Sequence, residues 1–252
     1  MKLLLSALAA LVIFPLSGQD FSAEFKPHSA TLRHGTLNIL IHKNYPLVTI
    51  DGKLPLHLSA QLPDNAQILE LLQNTPEIKT VRRLSRTGKN RDGENVQTEI
   101  RVTVRNDFPG VFICSKTYNR DFIGAVKCKQ LWSLPVTTAF LPAENGELRL
   151  GTTWKKLSAH EYFLYTGNNG KTYGIITTDL RSPARTIYSN IGINDFGKSK
   201  GGWFFGVSDG EFERDQFSEI KWVLVPVRNI QELKTVYDTL KRKQELQDLW
   251  KY

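Results

Sequence analysis

The chain has 252 residues, a formal charge of +8 at pH 7 and a sequence pI near 9.4. Its 40% hydrophobic and 10% aromatic content excludes a disordered chain, and its length suits one β-sandwich or barrel rather than two roomy domains. The basic balance suits anionic partners such as acidic polysaccharides, or plain solubility; no basic tract is dense enough to suggest nucleic acid.

Lys2, the apolar run from Leu3 to Leu16 and the small polar group Ser17, Gly18 and Gln19 form the n-region, h-region and cleavage zone of a secretory signal. The run is shorter than the roughly 20 residues that span a bilayer, and no cysteine comes just after it to carry a lipid. We expect a signal peptide over residues 1–18, a product that is periplasmic or extracellular without a stable membrane anchor, and a single domain over 19–252.

Period-two alternation dominates the chain beyond Gln19, and the fold class expected is all-β, an antiparallel β-sandwich. Strands are predicted at Thr36 to Ile41, at Leu47 to Ile50 and at Leu54 to Leu58, the last two joined by Asp51 and Gly52, a hairpin dipeptide. Ala66 to Asn74 reads either as a short helix, which local propensity favours, or as a strand through Ile68, Glu70 and Leu72. Further strands are expected at Ile78 to Ser85, Val96 to Arg105, Val111 to Tyr118 and Gly124 to Leu134, with a polar hairpin tip between Arg86 and Glu94. The C-terminal half adds Glu147 to Leu150, Glu161 to Thr166, Thr172 to Thr178, Trp203 to Val207 and Glu219 to Pro226. Ser182 to Lys200, rich in Pro, Asn, Gly and Ser, reads as a long loop of the kind that often carries function. A helix is predicted over about 229–250, capped at Asn229 with Glu232 three residues on, and with Leu233, Val236, Tyr237 and Leu240 at helical spacing.

The two cysteines fall in adjacent predicted strands. If Val111 to Tyr118 pairs with Gly124 to Trp132 around the turn at Asp121, Cys114 and Cys128 face each other and can form a disulfide, which an exported compartment preserves. Two free buried thiols are the other reading.

The run Val96 to Leu134 is a long strand, the turn Asn106-Asp107-Phe108-Pro109-Gly110, a second strand containing Val-Phe-Ile-Cys-Ser-Lys-Thr-Tyr-Asn-Arg, and a returning strand. With the preceding Leu69 to Leu84 it resembles the β-supersandwich of the galactose mutarotase-like superfamily, over about residues 68–134. The resemblance implies a large twisted sandwich whose concave face binds carbohydrate in many relatives, and it tips Ala66 to Asn74 towards strand. Mutarotases carry an Asn-His-containing aromatic motif; this chain has no Asn-His pair, so epimerase activity is not implied.

Residue types point to several candidate sites. Trp203 and Phe205, set among glycines, offer flat apolar faces on which a pyranose ring stacks; alternatively, they fill the core. His160, Tyr162, Arg181, Arg185 and Tyr188 supply the types that a lyase acting on uronate polymers needs, a cation for the carboxylate and a Tyr or His to move the α-proton; solvated arginines are the bland alternative. Asp209, Glu211, Glu213 and Asp215 would align on one side of an extended chain, but alternate residues about 7 Å apart give one calcium ion at most two of them, so a solvated acidic edge is expected. The five histidines show no zinc spacing, and no phosphate loop or nucleophile elbow is present, so no metal or cofactor is expected. The function favoured is an exported carbohydrate-binding protein; a polysaccharide lyase or glycoside-processing enzyme, and a non-catalytic envelope adaptor, are the alternatives.

Overall fold

The computed structural model describes residues 20–44, 47–59, 68–89, 95–119, 126–140, 153–156, 162–167, 169–181, 187–192 and 202–242. The segment expected as a signal peptide, the strand expected at Glu147 to Leu150, and His160 and Arg185 lie outside them. The first layer opens with a meander of β1 (Phe21–Lys26), β2 (Ser29–His34), β3 (Leu37–His42), β4 (Val48–Ile50) and β5 (Leu54–Ser59). Alternation dictates it: in β3, Leu37, Ile39 and Ile41 are buried while Asn38 is exposed. Asp51 and Gly52, with φ of 51° and 68°, turn β4 into β5, and Lys53 N donates to Ile50 O at 3.2 Å across them, a left-handed pair that Asp-Gly favours.

The second layer has seven strands in the order β12 (Tyr162–Gly167), β13 (Thr172–Arg181), β16 (Phe217–Pro226), β9 (Phe108–Tyr118), β8 (Asn95–Arg105), β7 (Ile78–Lys89) and β6 (Ile68–Asn74). The long strand β10 (Val126–Phe140) ties the layers together. It pairs with β5 and, up to Pro135, with β15 (Gly202–Phe212), and then pairs with β12 from Val136 to Phe140, with a register shift between Val136 and Thr138. β14 (Ile187–Gly192) bonds to β15 on one side and to β11 (Thr153–Lys156) on the other.

Between the layers lies one apolar core drawn from both, including Ile39, Leu56, Val102, Ile113, Ile175 and Leu224. At its centre the Trp132 and Trp222 rings meet edge to face at 5.3 Å, and the Trp132 indole N–H donates to Ser115 Oγ at 2.9 Å across the sandwich. A second cluster covers the outer face of the seven-stranded sheet, where Phe112, Leu164, Ile176, Val223 and Val225 receive Leu233, Val236 and Leu240 of α1 (Ile230–Arg242). Gly174 permits this approach, since a Cβ there would lie 2.1 Å from Leu233 Cδ1. As expected, Asn229 caps the helix, its Oδ1 accepting from Glu232 N at 3.0 Å.

The sandwich and helix agree with the sequence reading, and several local expectations are corrected. Residues 68–74 form a strand, the alternative that propensity disfavoured, because pairing with β7 supplies backbone partners that an isolated short helix lacks. The expected polar tip is partly strand, with β7 running on to Lys89. The long loop contains β14. Pairing of Val111 to Tyr118 with Gly124 to Trp132 does not occur, because β9 sits between β8 and β16 while β10 belongs mainly to the opposite layer. The reason is burial: β9 and β16 are buried on both faces along most of their length, as suits central strands covered from both sides. Among the described residues Cys114 is therefore a free, buried thiol, which overturns the bridge expected to Cys128; backbone register places Cys128 opposite Gly210 of β15.

Candidate functional site

The outer face of the seven-stranded sheet is divided along its strands. The end nearest α1 is apolar. Beyond Phe112 it turns charged, because three neighbouring strands carry polar or aromatic residues at the same parity: Glu99 and Arg101 on β8, Cys114, Lys116 and Tyr118 on β9, and Phe217, Glu219 and Lys221 on β16. Cross-strand register makes rows of them. Arg101, Cys114 and Lys221 are opposite one another, as are Glu99, Lys116 and Glu219, and Tyr118 faces Phe217. Arg82 and Glu70 continue the first row through β7 and β6.

Ion pairs knit this band. Glu99 binds Arg101 Nε, Glu70 binds Arg82, and Glu219 lies 3.3 Å from Lys221 Nζ. Glu99 and Glu219 are shielded, at 8% and 9% exposure, although they lie on an outer face. Cys114 Sγ donates to Glu219 Oε1 at 3.8 Å. Burial, reinforced by that carboxylate, pushes the thiol up to about 12, so it remains protonated and unreactive at neutral pH. At the far end the Tyr118 and Phe217 rings lie 6.0 Å apart, tilted by 49°, and Lys116 Nζ stands 3.7 Å from the Phe217 centroid and 4.9 Å from that of Tyr118. The arrangement joins half-buried aromatic surface to fixed hydrogen-bond acceptors and cations on a rigid sheet, which is the chemistry of a site for a polyhydroxylated ring.

The residues singled out from sequence are dispersed relative to this band. Tyr162 lies at the apolar end, its ring 4.6 Å from Tyr237 of α1, and packs with the helix cluster; burial and Asp238 raise its hydroxyl pKa above the ordinary value. Arg181 is brought to the band, opposite Glu219 in the β13–β16 register. Trp203, Phe205 and Tyr188 belong to the other layer. Register sets Phe205 opposite Trp132, whose side chain fills the core, and Trp203 opposite Leu134, while Tyr188 is opposite Gly206. The acidic run does not form one extended edge, since β15 ends at Phe212 and Asp215, at φ 64°, turns the chain into β16. Among the described residues no group of three or more His, Cys, Asp or Glu is placed to hold a metal ion. Sequence reasoning misses the band itself because each strand shows only two or three of its members. The signal is present as polar parity in Glu99-Ile100-Arg101 and Glu219-Ile220-Lys221, but nothing local says that β8, β9 and β16 are neighbours.

Two antiparallel layers bridged by one long strand, with a helix docked on one outer face, make a β-sandwich whose fold is shared with a solved structure. The chain matches the crystal structure of a provisionally assigned aldose 1-epimerase from Klebsiella pneumoniae subsp. pneumoniae with a TM-score of 0.56, over 86% of this chain and 83% of that one. Sequence identity is 9%, so the likeness is one of fold. No family profile matches the chain, and no curated protein sequence is significantly similar to it.

Proposed function

We propose that this protein is exported by its N-terminal signal and binds carbohydrate on the outer face of the seven-stranded sheet, in recognition or degradation of a polysaccharide. The observation that carries the reading is the junction of Tyr118 and Phe217 with Glu99, Glu219, Lys116 and Lys221 on one rigid surface. Aromatic faces take the apolar side of a sugar ring, while carboxylates and ammonium groups hydrogen-bond its hydroxyls. The sugar-related description of the structural neighbour agrees with this, and the charge of +8 supports an anionic polymer as partner.

A second reading, a glycoside-processing enzyme, draws on the two shielded carboxylates. Glu99 and Glu219 stand one strand apart on either side of β9, and paired carboxyl groups are the machinery of glycoside hydrolysis. Calorimetric titration of the processed protein against a glycan panel, with Phe217→Ala and Glu219→Gln beside it, separates the readings. Binding lost in both variants, with an unchanged circular dichroism spectrum, supports the module; release of reducing ends that Glu219→Gln abolishes supports the enzyme. Wild-type binding that is indifferent to both substitutions refutes the location.

A further inference from the structure

Among the described side chains of the band the charges do not cancel. Seven described side chains carry them: Glu70, Arg82, Glu99, Arg101, Lys116, Glu219 and Lys221. Six form three ion pairs. Lys116 is the seventh. Its cross-strand neighbours are both carboxylates, Glu99 and Glu219, yet Glu99 is held by Arg101, and Glu219 by Lys221 and the Cys114 thiol. The Lys116 ammonium is instead turned to the rings of Phe217 and Tyr118. An ammonium over an aromatic face gains about 0.5–2 kcal/mol, but a ring uses only one side of it, and N–H donors directed away from the ring remain free for an acceptor.

We infer that Lys116 is the selectivity determinant of this face and that the saccharide it takes is a uronate, whose carboxylate pairs with the Lys116 ammonium while the sugar ring lies against the Tyr118 and Phe217 pair. This rests on the carbohydrate reading above and adds to it the charged group and its contact. A monoanion fits better than a phosphate or sulfate ester cluster, because Lys116 is the one charge among the seven described side chains outside those ion pairs, and two carboxylates that repel a dianion flank it. The paired carboxylates remain hydrogen-bond acceptors for ring hydroxyls, so the neutral part of the sugar has partners too.

The test is calorimetric titration of the processed protein with uronate oligosaccharides, with the same oligosaccharides methyl-esterified at their carboxyl groups, and with a sulfated neutral oligosaccharide. Wild-type protein is expected to bind at least one uronate about tenfold or more tightly than its ester, with affinity falling as salt is raised. Lys116→Gln should bring acid and ester to equal affinity, and Lys116→Arg should retain the preference for the acid. Equal affinity of the wild type for acid and ester, a preference that survives Lys116→Gln, or tighter binding of the sulfated sugar overturns the inference. If neutral glycans bind and are lost in Phe217→Ala while Lys116→Gln has no effect, the carbohydrate reading stands and this inference falls. If no glycan binds, both fall.

Discussion

Docking of α1 onto the sheet depends on one missing methyl group, and a double-mutant cycle measures that dependence. Leu233 is fully buried in the outer cluster, and a Cβ on Gly174 would lie 2.1 Å from Leu233 Cδ1 and 3.0 Å from its Cγ. Leu233→Ala removes a buried isobutyl group and opens a cavity, at a cost of about 2–5 kcal/mol. Gly174→Ala forces Leu233 out of its rotamer or lifts the helix, at about 1–3 kcal/mol. In the double variant the new methyl group enters space that the deleted side chain has vacated. The total should therefore fall short of the sum of the single losses by about 1 kcal/mol or more. Urea unfolding followed by tryptophan fluorescence reads this directly, with midpoints shifted and slopes unchanged. For a domain of this size, each kcal/mol corresponds to about 2–4 °C in Tm. Strictly additive losses would show that Gly174 and Leu233 are not in contact, and that the helix docks in some other way.

Other parts of the fold set further outcomes. Asp51 accepts from Asn38 N at 3.0 Å, from Lys171 Nζ at 2.6 Å and from Tyr173 OH at 3.1 Å, tying the β4–β5 turn to the β12–β13 turn. Asp51→Ala should cost about 2–3 kcal/mol, whereas Asp51→Asn, which tolerates the left-handed turn and keeps an acceptor, should cost about 1 kcal/mol, as thermal unfolding will show. Burial lowers the pKa of His34, His42 and His57, with Asp107 partly offsetting the shift at His34. The unfolded chain then binds more protons below its ordinary histidine pKa of about 6.5. Stability present above that pH must decline as pH falls towards the folded-state values, and urea midpoints between pH 7.5 and 5 should decrease, less steeply in His34→Gln. A flat profile rejects that reading. In Cys128→Ser, Cys114 should resist thiol reagents in native protein and react at the rate of unfolding; prompt labelling would contradict its burial.

The stretch around Cys114 shows how far local pattern reaches. Its alternation marks Val111 to Tyr118 as a strand, and β9 is there. What alternation does not carry is the identity of the neighbour, and the nearest candidate in sequence, β10, is the wrong one. The same limit hides the candidate site. Arg181 stands out for its chemistry, yet its place opposite Glu219 arises from a pairing between β13 and β16 separated by the whole of β14 and β15. Trp203 and Phe205 have the composition of a sugar platform, and only register reveals that they stand opposite Leu134 and the core-filling Trp132.

The sequence alone determined the β-rich class, the Asp51-Gly52 hairpin and the capped C-terminal helix, because each depends on residues within a few positions of one another: the side-chain period, φ preference and first-turn amides. The tertiary structure decided which strands share an edge, that Cys114 is unbridged, and that paired charges and two aromatic rings gather on one outer face. Those are contacts between distant segments, chosen by which apolar faces bury each other best across the whole domain, and no short window of sequence contains that comparison.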